Sequence, residues 1–331
     1  MHGPLAIRFR RVHSAHPPRW KTLIAFAIIY FVWGSTFYAI RIGVHEVPPL
    51  LLAAMRFSIA GATLFIWAVA RGETLPNRRE WAAITVVALL IFVVDYGFLF
   101  WAEERVASGT AAVILATIPA FMALSEIIIL RTERLTLRLG CALLIGLAGV
   151  VVLVDPSLGM AGTPVYPLGA AGLLVSAAAW SAASVLSKKL PMPSSKVMSA
   201  AAQMLAGGVL LCVVAAAAGE EHGFHPQAVS RGAWIALLYL TVAGSIVGFT
   251  AYTWLLHHQS PTKVGTYAYV NPVVAVALGH FLGGEVLDTP VAIGTALVLV
   301  SVIVITTRRK TNVTAGSAAP RELSRGRAIQ R

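Results

Sequence analysis

The chain has 331 residues, of which 57% are hydrophobic and only 12% charged, with a formal net charge of +12 and a mean hydropathy of +0.77. Soluble domains carry roughly 25% charged residues. This chain has too few polar groups to cover a water-facing surface, which excludes an ordinary soluble domain.

Residues 1–21 are basic and His-rich, with no short apolar core before a cleavage site. They read as a cytoplasmic N-terminus rather than a removable signal. Ten apolar runs follow, at 22–40, 49–70, 81–101, 107–130, 139–154, 167–187, 197–218, 233–256, 264–282 and 290–306. A bilayer core takes about 20 apolar residues as a helix, against about 9–11 for a barrel strand. Backbone groups in lipid must pair within their own segment, so the runs predict ten transmembrane helices. The tail, 307–331, is polar and basic and reads as disordered. Ten spans put both termini on one side. If that side is the cytoplasm, most of the 26 Lys and Arg face inward; only Arg41, Arg105 and Arg231 fall outside, and Arg56 lies within a run. This positive-inside bias accounts for the net charge, and nucleic-acid binding is not expected.

The chain repeats itself. Trp33 precedes Arg41 by eight residues, as Trp180 precedes Lys188; Trp81 and Trp101 are twenty apart, as are Trp234 and Trp254; Pro119 and Pro272 each interrupt the fourth run of their half. The expected fold is therefore all-α and polytopic, as two five-helix repeats over 22–155 and 156–306. Five is odd, so the second repeat enters the membrane inverted. Inverted repeats are a common architecture of secondary transporters.

Side chains in the runs supply candidates. Trp33, Ser35, Thr36 and Tyr38, echoed by Trp180 and Ser184, either line a cavity for amphipathic solutes or pack helices. Proline removes one helix hydrogen bond; paired interruptions point to a midplane site, the alternative being plain kinks. Tyr267, Tyr269 and Asn271 precede or adjoin Pro272, and Tyr267 and Asn271 share a helix face. Arg56 and Asp95 both fall about 10 Å below the outer surface at 1.5 Å rise per residue. They are expected to pair, as a helix clamp or as an outer gate that anchors cargo carboxylate; the third option is snorkelling to the headgroups. Glu126, near the inner end of the fourth run, is either interfacial or a protonatable coupling site. His280 could also titrate.

WGSTFYAIRIG (33–43), PPLLLAAMRF (48–57), SGTAAVILATIP (108–119), YAYVNPVVAVALG (267–279) and the closing LGGE (282–285) resemble the drug/metabolite transporter superfamily, EamA-domain permeases, most of all their YedA-like members. The resemblance covers residues 22–306. It implies an inner-membrane permease, often an exporter of amino acids, metabolites or drugs. The chain lacks G-x-x-x-x-G-K-[ST], so ATP drive is not encoded. The other function classes are a channel or sensor, and a membrane enzyme for which no catalytic motif stands out. Cys141 and Cys212 have neither metal nor disulfide spacing and read as buried thiols. No metal or cofactor is expected. The expected partners are small-molecule cargo and membrane lipid, with one pathway per chain, which suits a monomer.

Overall fold

The computed structural model describes residues 18–131, 137–154, 166–259, 261–286 and 289–306. The expected basic tail, most of the N-terminal arm and the junction between the halves lie outside them. Among the described residues seven helices are long and apolar enough to cross a membrane: α1 (Arg19–Val44), α2 (Pro49–Ala70), α3 (Arg78–Glu103), α4 (Ser108–Leu130), α6 (Pro167–Leu186), α7 (Lys196–Ala217) and α8 (Arg231–His258). Between and after them lie α5 (Leu137–Val154), α9 (Tyr267–Gly283) and α10 (Thr289–Thr306). The last two have shorter apolar stretches, Val270–Gly283 and Ala292–Ser301. A separate helical turn, Pro261–Val264, precedes α9, with a turn at Gly265 and Thr266 between them.

Helix starts follow the sequence. Pro49 and Pro167 occupy first-turn positions that need no N–H donor. Asn77 and Glu80 form a capping box at α3. Ser230 caps α8 through the Ala233 N–H. Four stretches are π-helical, at Ile28–Val32 in α1, Leu89–Tyr96 in α3, Glu126–Leu130 in α4 and Leu240–Phe249 in α8. Such stretches expose backbone carbonyls and collect at functional sites.

The packing is reciprocal. α2 lies along α7 and α5 along α10; α1 packs on α8 and α9 as α6 packs on α3 and α4. Replacing each helix by the one five places along reproduces these contacts. α2 and α7 run antiparallel, since Leu51 meets Glu220 while Ser58 meets Cys212. α5 and α10 also run antiparallel, with Gly146 against Ser301 and Gly149 against Val298. At the α2–α7 crossing, a Cβ on Gly61 would strike the Leu205 backbone, and one on Gly208 would strike the Ser58 backbone. Gly61 and Gly208 stand 147 positions apart, as do Ser58 and Leu205 and as do Trp33 and Trp180. One contact is thus made twice, and only glycine allows the backbones so close.

Candidate functional site

A small cavity of about 60 Å³ sits at the centre, lined from both halves by Trp33, Thr36, Asp95, Tyr96, Trp180, Tyr267 and Asn271, among others. The rings interlock. Trp33 meets Trp180 edge-on at 5.5 Å between centroids, Tyr267 at 5.4 Å and Tyr252 at 5.0 Å. Tyr96 closes on Trp180 at 6.1 Å.

Local backbone chemistry holds this cluster in place. Trp33 Nε1 donates to the Gly244 carbonyl at 3.0 Å. It can approach because positions 244 and 248 of the α8 π-stretch are glycine. A Cβ at 248 would overlap the Trp33 ring nitrogen, and one at 244 would come within 2.9 Å of Thr36 and Arg56. Asn271, with its amide nitrogen turned toward α1, donates to Tyr30 O (2.8 Å), Ile29 O (3.1 Å) and Tyr267 O (3.2 Å). Ile29 and Tyr30 belong to the α1 π-stretch, so Asn271 satisfies carbonyls of that irregular segment.

The two prolines act on the same cavity in different ways. α4 breaks at Ala116 and Thr117, just before Pro119, and the Ile118 carbonyl accepts from Ser181 Oγ at 3.1 Å. Pro272, expected to break its helix, instead lies inside continuous α9; the interruption falls earlier, at Gly265 and Thr266. A helix absorbs one missing N–H when the freed carbonyl faces a polar space. A proline releases the carbonyl four residues back. Those residues are Leu115 and Ala268, and both line the central cavity.

The expected Arg56–Asp95 ion pair does not form. Both residues are buried, but they find separate partners. Arg56 Nε donates to Ser245 Oγ at 2.7 Å, and its guanidinium lies over the rings of Phe57 (4.6 Å), Tyr96 (5.2 Å) and Phe100 (5.9 Å). Asp95 accepts from Ser176 Oγ. The Phe57, Tyr96 and Phe100 rings hold the cation, because cation–π stacking gives Arg a desolvated partner without a carboxylate. Asp95 is left facing the cavity.

The other candidates divide. Thr36 and Tyr267 line the cavity. Ser35 faces away, donating to Val32 O and meeting the Tyr239 hydroxyl at 2.6 Å. Tyr38 packs on Gly283. Ser184 bonds the Tyr252 hydroxyl at 2.7 Å and lines a second, wider cavity. The Tyr269 side chain lies outside the described ones. Glu126 lies near Lys188 and lines neither cavity. Cys141 and Cys212 are unpaired but exposed, on helix surfaces that a bilayer would cover, not buried.

Three carboxylates and Arg41 seal one end of the molecule, the Glu46 end; Glu46 and Glu220 were not singled out in the sequence. Glu46 accepts from Ser230 N and Oγ, both at 2.6 Å. Glu220 accepts from Leu51 N at 2.8 Å. Glu285 accepts from Ser108 N (2.8 Å), Ser108 Oγ (2.7 Å) and Gly109 N (3.1 Å). Each carboxylate thus caps the start of a helix in the opposite half. Arg41 adds bonds to the carbonyls of Glu103 and Val106 and stands 3.8 Å from Glu285. The closing LGGE was the visible signal for Glu285. Nothing in the sequence pairs Glu46 with Ser230. At the opposite, Lys188 end lies the wider cavity, about 420 Å³ in volume. The Trp180–Tyr252 contact, 4.9 Å between centroids, stands between the two.

A model of the EamA-like transporter family matches residues 20–155 and 167–307. The chain belongs to that family. It is 36% identical over 280 residues to the "Uncharacterized inner membrane transporter YedA" of Escherichia coli K12, covering 84% of this chain and 88% of that one. It is 26% identical over 279 residues to the "Probable amino-acid metabolite efflux pump" of Salmonella typhimurium, covering 82% and 90%. A solved crystal structure 25% identical in sequence superposes with a TM-score of 0.61, covering 87% of this chain and 97% of the other. The chain is thus a multi-pass membrane protein of a transporter family, and these relatives are named as transporters and efflux pumps, not as enzymes.

Proposed function

We propose that this protein is a secondary transporter that moves small amphipathic solutes, such as amino acids or drugs, across the inner membrane by alternating access. Its ten helices act as two inverted five-helix repeats, 22–155 and 156–306, with both termini in the cytoplasm and the Glu46 end outside. The observation that carries this reading is the central cavity, to which both halves contribute rings. A cavity of about 60 Å³ is far below the ~300–1,000 Å³ of an open ligand site, so the form described here is too narrow for cargo and must widen to load. Asp95 among five rings suits a protonated amine on an apolar body. The name of the Salmonella relative adds support for amino acids as cargo. Export and import are both compatible with this geometry; proton coupling is assigned to Glu126, beside Lys188.

The test is counterflow in proteoliposomes with labelled amino acids and amphipathic amines. Saturable uptake driven by unlabelled internal solute is the expected result. Asp95→Asn should cut amine flux about tenfold or more while leaving the protein folded. Flux that does not saturate, with no counterflow, would make it a channel. Glu126→Gln should abolish acceleration by a pH gradient; an unchanged response removes Glu126 from coupling.

A further inference from the structure

The wider cavity at the Lys188 end differs in chemistry from the central one. Its charged lining is basic: Lys188 and Lys196 face it, with His257 beside them, and no Asp or Glu is among the described lining residues. Its remaining polar groups are mostly hydroxyls and one amide, Gln203, whose nitrogen is already committed to Ser199. Lys188 is half-buried. Its ammonium donates to the Leu256 carbonyl at 3.0 Å, and burial holds its pKa below the usual lysine range, with Glu126 opposing that shift. Lys196 has no hydrogen-bond or ion-pair partner among the described residues. It is also the first residue of α7, whose 22 residues start at this cavity behind the Ser195 cap. A helix start presents free N–H groups and partial positive charge.

Lys188 and Lys196 line one concavity together with His257. A buried ammonium is costly unless an anion pairs with it; Glu126 lies near Lys188, and Lys196 has no such carboxylate among the described residues. The volume, about 420 Å³, lies within the range of small-molecule sites.

We propose that this cavity is a binding site for the anionic group, carboxylate or phosphate, of a small solute, held by Lys188, Lys196 and the start of α7. It is a station distinct from the amine-selecting central cavity. The proposal rests on the transporter reading only for its direction, with this station at the cytoplasmic mouth. A solute arriving there meets the anion site first and the ring cluster second, with Tyr252 and Trp180 between them.

The test uses the full chain in phosphatidylcholine nanodiscs and calorimetric titration with two probes of similar shape, benzoate and benzylamine. Benzoate should bind, and the double variant Lys188→Gln/Lys196→Gln should weaken it about tenfold or more while leaving benzylamine unchanged. Lys188→Arg/Lys196→Arg, which keeps both charges, should retain benzoate binding and so separates lost charge from lost fold. Asp95→Asn should do the reverse, weakening benzylamine alone. Failure of benzylamine with benzoate intact would therefore remove the central-site reading and leave this one standing. Benzoate binding that is absent in the wild type, or equal in the Gln variant, overturns the proposal. So does competition by phosphatidylglycerol nanodiscs that removes benzoate binding, since the occupant would then be a lipid headgroup.

Discussion

Asp95 and Arg56 show how neighbouring rings redirect a charge. Depth alone placed them together, because rise per residue is all that a sequence of apolar letters conveys. The partners that win, Ser176 and Ser245, come from the other half of the chain, and ordinary serines in apolar runs carry no mark of what they will meet. The same limit hid Glu46. Its bonds from Ser230 hold its pKa below the usual 4.5. They favour the charged form, so their stabilisation is present above about pH 4.5 and is lost as pH falls through the lowered folded value. Glu46→Gln should therefore unfold at lower temperature than wild type near neutral pH, with the gap closing as the pH falls below 4.5. A gap that stays constant across a pH series would show that the cap does not depend on charge. Gly248→Ala tests the ring cluster. Its added methyl meets the Trp33 nitrogen, and overpacking of this kind costs about 1–3 kcal/mol; thermal unfolding should register the loss, and Gly232→Ala, in the same helix with only the flexible Ser230 hydroxyl nearby, should not.

Helices were the most legible level, because lipid leaves the backbone few choices. The apolar runs at 49–70 and 167–187 coincide with α2 and α6 to within a residue or so. The tryptophan spacing announced a repeat, and Trp33 and Trp180 do meet at the central cavity. What apolar letters could not announce was winding. The π-stretches of α1, α3 and α8 look like any other hydrophobic run, yet they bear the carbonyls, the Asp95 turn and the glycines that shape the cavity. Proline was legible in one half and not in the other. At Pro119 the helix does break, just upstream at Ala116 and Thr117, whereas Pro272 lies inside continuous α9. At the α2–α7 crossing, Gly61→Leu or Gly208→Leu should each drive the backbones apart and sharply reduce the yield of monodisperse protein on size exclusion. Because the two contacts are equivalent, the losses should be of similar size. A much milder effect at one position would show that the crossing is not balanced.

For the whole molecule, three carboxylate caps hold the halves together at the Glu46 end, while the Lys188 end carries the wider cavity. In the transport cycle proposed above, this form is the one closed toward the outside. Epitope tags on both termini should survive protease added to intact spheroplasts and be lost once the membrane is permeabilised; digestion in intact cells would reverse the orientation. Glu285→Ala removes the acceptor for three bonds at the start of α4. It should raise labelling of Tyr38→Cys, which packs beside Gly283, by a membrane-impermeant maleimide from outside several-fold.

The paired glycine contact has a consequence for assembly. A surface in which residue 61 meets 205 while 208 meets 58 is the kind that two copies of one half would form with each other, as in a symmetric dimer. Residues 61 and 208 are therefore a single packing problem stated twice in one polypeptide. The two halves, expressed as separate chains severed between 155 and 166, already carry the lock by which they would find one another.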